Sequence, residues 1–123
     1  ISAEGLDLRS LTPIDGPGIA RSVGKTGHLV VADTANTTFG AAAEASALAV
    51  EHAFHLLKKP PVRIGLPWTP TPTTPSLADN FYPRAVEIAR AAAATLDSPA
   101  KFTEAPVSTP WHDVPDPTFT GPY

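Results

Sequence analysis

The chain has 123 residues, a net charge of −3 and an isoelectric point near 5.7, with charges of both signs scattered along it. That is one domain's worth of polypeptide, and it carries no basic stripe of the kind that neutralises nucleic-acid phosphates. Without cysteine there is no disulfide framework and no thiolate metal site, and no apolar run approaches the roughly 18 residues of a membrane-spanning helix. Neither nucleic acid nor a membrane is therefore expected as a partner, and the lack of cysteine fits a reducing compartment. The first residue is Ile1 rather than Met and no signal peptide opens the chain, which reads as a fragment or a processed chain; the sequon Asn36-Thr37-Thr38 is then read as chance. Proline is the compositional anomaly, with 15 residues, four of them between Pro67 and Pro75 and six between Pro99 and Pro122. Those two stretches are excluded from regular helix and central strand, because proline lacks the backbone donor both require.

In chain order, Ser2 to Arg9 alternates and predicts a strand, with Leu6 and Leu8 on one face and Asp7 and Arg9 on the other. Leu11-Thr12-Pro13 turns out of it. Ile14-Asp15-Gly16-Pro17 predicts a helix start, since Asp caps free amides and Pro is tolerated in the first turn. Ile19, Ala20 and Val23 give that helix a buried stripe, and Gly24 and Gly27 are expected to end it. Leu29 to Ala32 is an unbroken apolar run, the pattern of a parallel strand covered on both faces. A seven-residue loop, Thr34 to Gly40, then leads into a long helix from Ala41 to Leu57, whose apolar positions are Ala45, Leu48 or Ala49, His52 and Leu56.

Lys58-Lys59-Pro60-Pro61 breaks that helix, with two cations beside its negative end. Val62 to Leu66 predicts a third strand, completing a βαβ unit. Pro67 to Pro75 predicts an extended crossing anchored by Trp68, and Ser76 to Asp79 resembles a capping box with Asp in place of Glu. Phe81-Tyr82-Pro83 interrupts, and Pro83 opens a last helix to Leu96 with Val86, Ala89, Ala93 and Leu96 on its apolar face and Ile88 and Ala92 alongside. From 97 to 123 there is no period, only Phe102, Trp111, Phe119 and Tyr123 spaced among prolines. Aromatics pinning the tail to a surface and an unfolded tail are both compatible with that composition.

Three apparent motifs dissolve on inspection. Gly24-Lys25-Thr26 imitates the end of a phosphate-binding loop, but the required glycine five positions earlier is Ile19, and the triplet sits at a helix end. Glu51-His52-Ala53-Phe54-His55 has the wrong order for a zinc helix and no third ligand nearby. Asp33 closes a parallel strand, where open α/β sheets place ligands, yet the loop after it carries a single Gly40 instead of a glycine fingerprint. A loop-bracing role for Asp33 is the simpler reading. No nucleophile-base pair or paired carboxylates stand out, so no catalytic residue, cofactor ligand or metal ligand is assigned.

Asp7-Leu8-Arg9-Ser10-Leu11-Thr12-Pro13-Ile14-Asp15 resembles the signature of the transketolase C-terminal domain, above all as it occurs in the β subunit of the thiamine diphosphate-dependent dehydrogenase of pyruvate and branched-chain 2-oxoacid complexes. Lys25-Thr26-Gly27-His28-Leu29-Val30-Val31, Ala32-Asp33-Thr34, Ala43-Glu44, Val62-Arg63-Ile64, Pro70-Thr71-Pro72-Thr73 and Asn80-Phe81-Tyr82-Pro83 follow in register, so the resemblance spans Ile1 to about Leu96. It implies an α/β fold in three layers, α/β/α, on a mostly parallel sheet, over residues 1–96, followed by a Pro-rich tail at 97–123. It also implies that the domain's opening strand and helix precede Ile1, leaving a sheet with an edge to be covered.

The function so implied is an assembly domain. It would pack against an α subunit and a second β subunit and face a lipoyl acyltransferase core, in a cytoplasmic or mitochondrial-matrix enzyme. Thiamine diphosphate and magnesium would be held by other domains. Asp33, Thr37, Thr38, Phe81, Tyr82 and Pro83 are the candidate loop or interface residues. Where relatives often carry Asp-Ala this chain has Lys58-Lys59, which argues against acyltransferase docking at that corner. Two rival expectations stand beside this one: a stand-alone module binding a small anion or regulator at Asp33, Thr37 and Thr38, and a tail that acts as a peptide ligand.

Overall fold

The computed structural model describes residues 2–74, 77 and 81–97. Helix α1, Gly16–Thr26, forms where its local chemistry dictates. Asp15 accepts a hydrogen bond from the Gly18 N–H at 2.9 Å, and Pro17 lies in the first turn, where it removes a donor that has no partner anyway. The helix runs through Gly24 and is ended by Gly27 alone. Gly27 takes the left-handed conformation (φ 74°) and donates its N–H to the Val23 carbonyl at 2.7 Å.

Strand β1, Val30–Asn36, pairs in parallel with β2, Val62–Leu66. Val30 lies opposite Val62, Val31 opposite Arg63 and Ala32 opposite Ile64, after which the register slips and Asn36 faces Leu66. The strand therefore reaches four residues past the apolar run. Its far end is held by backbone pairing, the Thr37 N–H reaching the Leu66 carbonyl at 3.1 Å, so the connecting loop shrinks to Thr37–Gly40. Helix α2, Ala41–Ala53, follows directly. Gly40 is required at the junction, because a Cβ there would stand 2.1 Å from the Asn36 carbonyl oxygen.

The core is the seam between α1 and α2. Ile19 and Val23 pack on Ala45, Ala49 and Ala53, with Leu8, Ile14, Leu29, Val31 and Leu57 closing its margin. Small residues on α2 let the two helices approach closely. Of the positions expected to be apolar and inward, Leu48 is half-buried and His52 is exposed, although its ring stands where a Cβ on Gly16 would meet it. The α-helix stops at Ala53 and tightens into a 3₁₀ turn, Phe54–Leu56, which turns Leu56 outward. Helix α3, Ala85–Thr95, packs on β1 and β2 away from α1 and α2, so helices cover both faces of the sheet in an α/β arrangement.

Several expectations are corrected. Ser2 to Arg9 forms no strand. An extended segment becomes one only when a neighbour supplies a ladder, and its backbone bonds here are local: Ser10 N–H to the Leu8 carbonyl and Arg9 N–H to Asp7 Oδ1. The described sheet accordingly has two strands. Trp68 anchors nothing among the described residues and is 69% exposed. α3 starts at Ala85, two residues after Pro83, where the Arg84 N–H donates to Glu87 Oε2 at 2.7 Å; its expected face ends early, with Leu96 outside the helix and exposed. The expected capping box at Ser76–Asp79 and the tail from 98 onward lie outside the described residues.

Candidate functional site

Asp33, expected to close the strand, lies in the middle of β1 because the strand runs on to Asn36; it is half-buried and makes no hydrogen bond or ion pair among the described residues. Thr37 is fixed from both sides. Its N–H pairs with Leu66, and its carbonyl accepts from Arg63 Nη1 at 2.8 Å. Thr38 is exposed, and α2 begins behind it at Gly40 with no side-chain cap. The loop is thus braced by Arg63, and Asp33 takes no part in that bracing. Phe81 and Tyr82 form an edge-to-face pair, 5.3 Å between ring centres and 85° between planes, half-buried together with Pro83 ahead of α3. No hydrogen bond, ion pair or ring contact among the described residues links that pair to the Asp33–Thr38 loop.

The larger feature lies along the other side of β1. A cleft of about 950 Å³ runs between the 2–11 segment, α1, β1 and α3, walled by Leu6, Leu8, Leu29, Val31, Ile88 and Leu96 among others. Backbone polarity says why it matters. The Gly27 and Leu29 carbonyls accept from the Lys58 and Val62 N–H groups at 2.9 and 3.0 Å, so odd-numbered residues turn their backbone groups toward β2. By the alternation of a parallel strand, Val30 and Ala32 turn theirs toward the cleft. The cleft wall also holds the buried Nδ1 of His28, which has no hydrogen-bond partner among the described residues. Glu4 crosses one end, bonded to Lys25 Nζ at 2.7 Å and to Ser22 Oγ at 3.3 Å. The Lys25 hydrogen bond holds the Glu4 carboxyl below its usual range.

Lys58 is exposed and Lys59 half-buried. Lys58 lies across Gly27 and reaches the Thr26 carbonyl at 3.5 Å; Lys59 pairs with Asp97 and reaches the Ala94 carbonyl at 3.3 Å, a cation at the negative end of α3. Lys25 is likewise committed to Glu4. His52 and His55 are both exposed, and no group of three potential ligands is placed to hold a metal ion among the described residues.

The family model of the transketolase C-terminal domain matches residues 1–97. This chain belongs to that family. It is 39% identical over 100 residues to the β subunit of acetoin:2,6-dichlorophenolindophenol oxidoreductase of Bacillus subtilis (strain 168), covering 81% of this chain and 29% of that subunit. It is 41% identical over 96 residues to the subunit of the same name from Cupriavidus necator, covering 78% and 28%. A third relative is the mitochondrial pyruvate dehydrogenase E1 component subunit beta of Chaetomium thermophilum, 39% identical over 83 residues, covering 68% and 22%. The chain thus spans less than a third of the length of these curated relatives. None of its described helices is long and apolar enough to cross a membrane.

Within this transketolase C-terminal domain the sequence motifs fall into distinct structural jobs. Asp15 caps, Gly27 turns, and Val30 to Ala32 forms the shared strand edge. Two residues escaped the sequence reading. Arg63 reads in the sequence only as part of a strand, because its contact with Thr37 depends on a register that sequence does not carry. His28 stands in the Lys25–Val31 motif with nothing in the sequence to set it apart, and only the three-dimensional structure shows its Nδ1 buried against the cleft.

Proposed function

We propose that this chain is the assembly domain of a two-subunit, thiamine diphosphate-dependent dehydrogenase acting on a 2-oxo acid, and that it contributes packing surface to the enzyme. The observation that carries the reading is the cleft beside β1: a parallel strand with one backbone edge turned toward apolar walls. Parallel sheets are normally interior structures with both faces and most edges covered. In this reading an extended segment of the parent polypeptide, upstream in sequence, lies in the cleft and pairs with Val30 and Ala32, completing the sheet. The finished domain then packs on an α subunit and a second β subunit. Phe81, Tyr82 and Pro83 are proposed as part of that packing surface. The lipoyl acyltransferase is proposed to dock elsewhere than Lys58 and Lys59, where two cations stand and Lys59 is already paired with Asp97.

Thiamine diphosphate and its magnesium ion belong to the parent enzyme in this reading. The donor chemistry of the described residues does not fit that group, since they gather no cluster able to hold the metal. The test is a chimera in which the last part of a β-type relative is replaced by this chain and co-expressed with the matching α subunit. Assembly and turnover are expected. Tight, specific binding of thiamine diphosphate with magnesium to the 123-residue chain alone would overturn the reading.

One observation favours the anion-binding alternative: α2 opens at Gly40 with no side-chain cap, leaving amides free beside Thr38. Titration with inorganic phosphate, followed at the amide signals of residues 38–42, decides it. Unmoved signals there would remove the alternative's basis.

A further inference from the structure

Three unlike residues lead into β1. Thr26 ends α1, Gly27 turns the chain, and His28 joins the wall of the cleft. The Gly27 and Leu29 carbonyls are bonded on the β2 side, so by alternation the His28 N–H and carbonyl fall on the cleft side. They are not free there. The Thr26 hydroxyl accepts from the His28 N–H at 3.3 Å and donates to the His28 carbonyl at 3.0 Å. A side chain thus closes the open edge one step ahead of Val30. An extended segment entering the cleft can pair with the backbone of Val30 and Ala32, and it meets no free backbone group at His28.

What stays open at that level is the ring. His28 Nδ1 is closed off from solvent, and among the described residues it is the one buried side-chain nitrogen or oxygen without a hydrogen-bond partner. Polar side chains elsewhere along the wall answer to one another. Ser22 and Lys25 hold Glu4, Thr95 donates to the Ala92 carbonyl at 2.7 Å, and Arg9 stands 3.9 Å from Asp7. A buried nitrogen that has given up water and gained no partner weakens the fold, and in finished structures such groups are nearly always paired. The missing partner therefore has to come from whatever fills the cleft.

We propose that His28 anchors the segment that fills the cleft, its Nδ1 hydrogen-bonding the backbone of that segment where Thr26 has sealed the His28 main chain. The ladder through Val30 and Ala32 then ends on a side-chain bond instead of a further backbone pair. This deepens the assembly reading and rests on it, the occupant being the upstream segment of the parent polypeptide. Thr26 and His28 act as a unit: one removes the main-chain partner at that level, and the other supplies a replacement from its ring.

The test compares His28→Leu with His28→Asn in two settings. Leu removes the nitrogen and keeps an apolar filling, whereas Asn carries polar atoms bonded to Cγ, as Nδ1 is. In the 123-residue chain, urea unfolding followed by circular dichroism should show His28→Leu no less stable than the parent, because the change removes an unmet group. In the chimera with the matching α subunit, half-assembly measured by sedimentation should need at least about tenfold more protein with His28→Leu, the effect of one lost buried hydrogen bond. His28→Asn should stay within about threefold of the parent chimera. A role in packing alone would lower stability in both settings and would not be rescued by Asn. His28→Leu destabilising the isolated chain would show that Nδ1 already has a partner there, residues 98–123 included, and overturns the proposal. So does a loss with Asn as large as the loss with Leu. A chimera that assembles equally well with all three residues defeats this inference and leaves the assembly reading intact. A chimera that fails to assemble with His28 in place defeats both.

Discussion

Proline substitution on β1 separates a backbone edge that is in use from one that is open. The Val31 N–H points toward β2, and the Ala32 N–H points toward the cleft. Val31→Pro removes a ladder bond, crowds the pairing strand and disturbs a side chain packed at the core margin, for a cost of about 3 kcal/mol or more. Ala32→Pro removes a donor from an unpaired edge at an exposed position, where proline is tolerated, and should cost about 1 kcal/mol or less. Against a domain stability of about 5–15 kcal/mol the two are readily told apart by urea unfolding of the 123-residue chain followed by far-UV circular dichroism. In the chimeric β subunit the ranking changes: Ala32→Pro should now impair assembly, because the proposed strand needs that N–H. Two results refute the reasoning. Ala32→Pro could unfold the isolated chain as readily as Val31→Pro, which would mean its N–H is already bonded. Or the chimera could assemble and turn over normally with Ala32→Pro, which would mean the edge is never used.

Val23 is the largest fully buried side chain, so Val23→Ala should lose about 2 kcal/mol and lower the melting temperature by about 10 °C in calorimetry. Gly40→Ala places a Cβ 2.1 Å from the Asn36 carbonyl oxygen and should cost at least about 2 kcal/mol in the same measurement, while Gly5→Ala, with nothing within 4 Å, should be neutral. Glu4 should titrate below the ordinary value of 4.5 in carboxyl-resolved NMR, and Lys25→Ala should return it to that range. The sign follows from linkage. With the folded pKa depressed, the pair's contribution is present above the unfolded value and fades as pH falls through the folded one, so Lys25→Ala should narrow the stability difference between pH 7 and pH 3.

Sequence predicted this fold best where the controlling interaction is local. Asp15, Pro17 and Gly27 carry the start and stop of α1 within a few residues, and both are found in place. The continuous apolar run at Leu29–Ala32 marked a parallel strand because a doubly covered strand tolerates no polar alternation, and Val62–Leu66, with Arg63 exposed, was legible as a strand from its alternate Val62, Ile64 and Leu66. The extension of β1 to Asn36 had no such signal, since it depends on a carbonyl of β2. Arg63 and Thr37 meet for the same reason, through register, so the brace of the candidate loop was hidden while the less important Asp33 stood out.

The apolar residues that sequence placed wrongly are more informative than those it placed well. Leu6 was expected to share one face of a strand with Leu8, and Leu96 and Ile88 to lie on or alongside the apolar face of a helix, and all three are substantially exposed. They are not scattered. Each lines the cleft beside β1, together with the strand's own outward-turned backbone and the His28 nitrogen that has no partner among the described residues. Leu56 and Trp68 are also exposed against expectation but lie outside the cleft, so the convergence belongs to Leu6, Ile88 and Leu96. Their periodicity is that of side chains with a neighbour, and the proposed inserted strand is the neighbour that would bury all three at once. Substituting each with Asp should then leave the isolated chain folded and impair assembly of the chimera. An isolated chain that unfolds with Leu6→Asp would show that this segment is already part of the core, and the cleft would lose its claim to be an unfinished sheet.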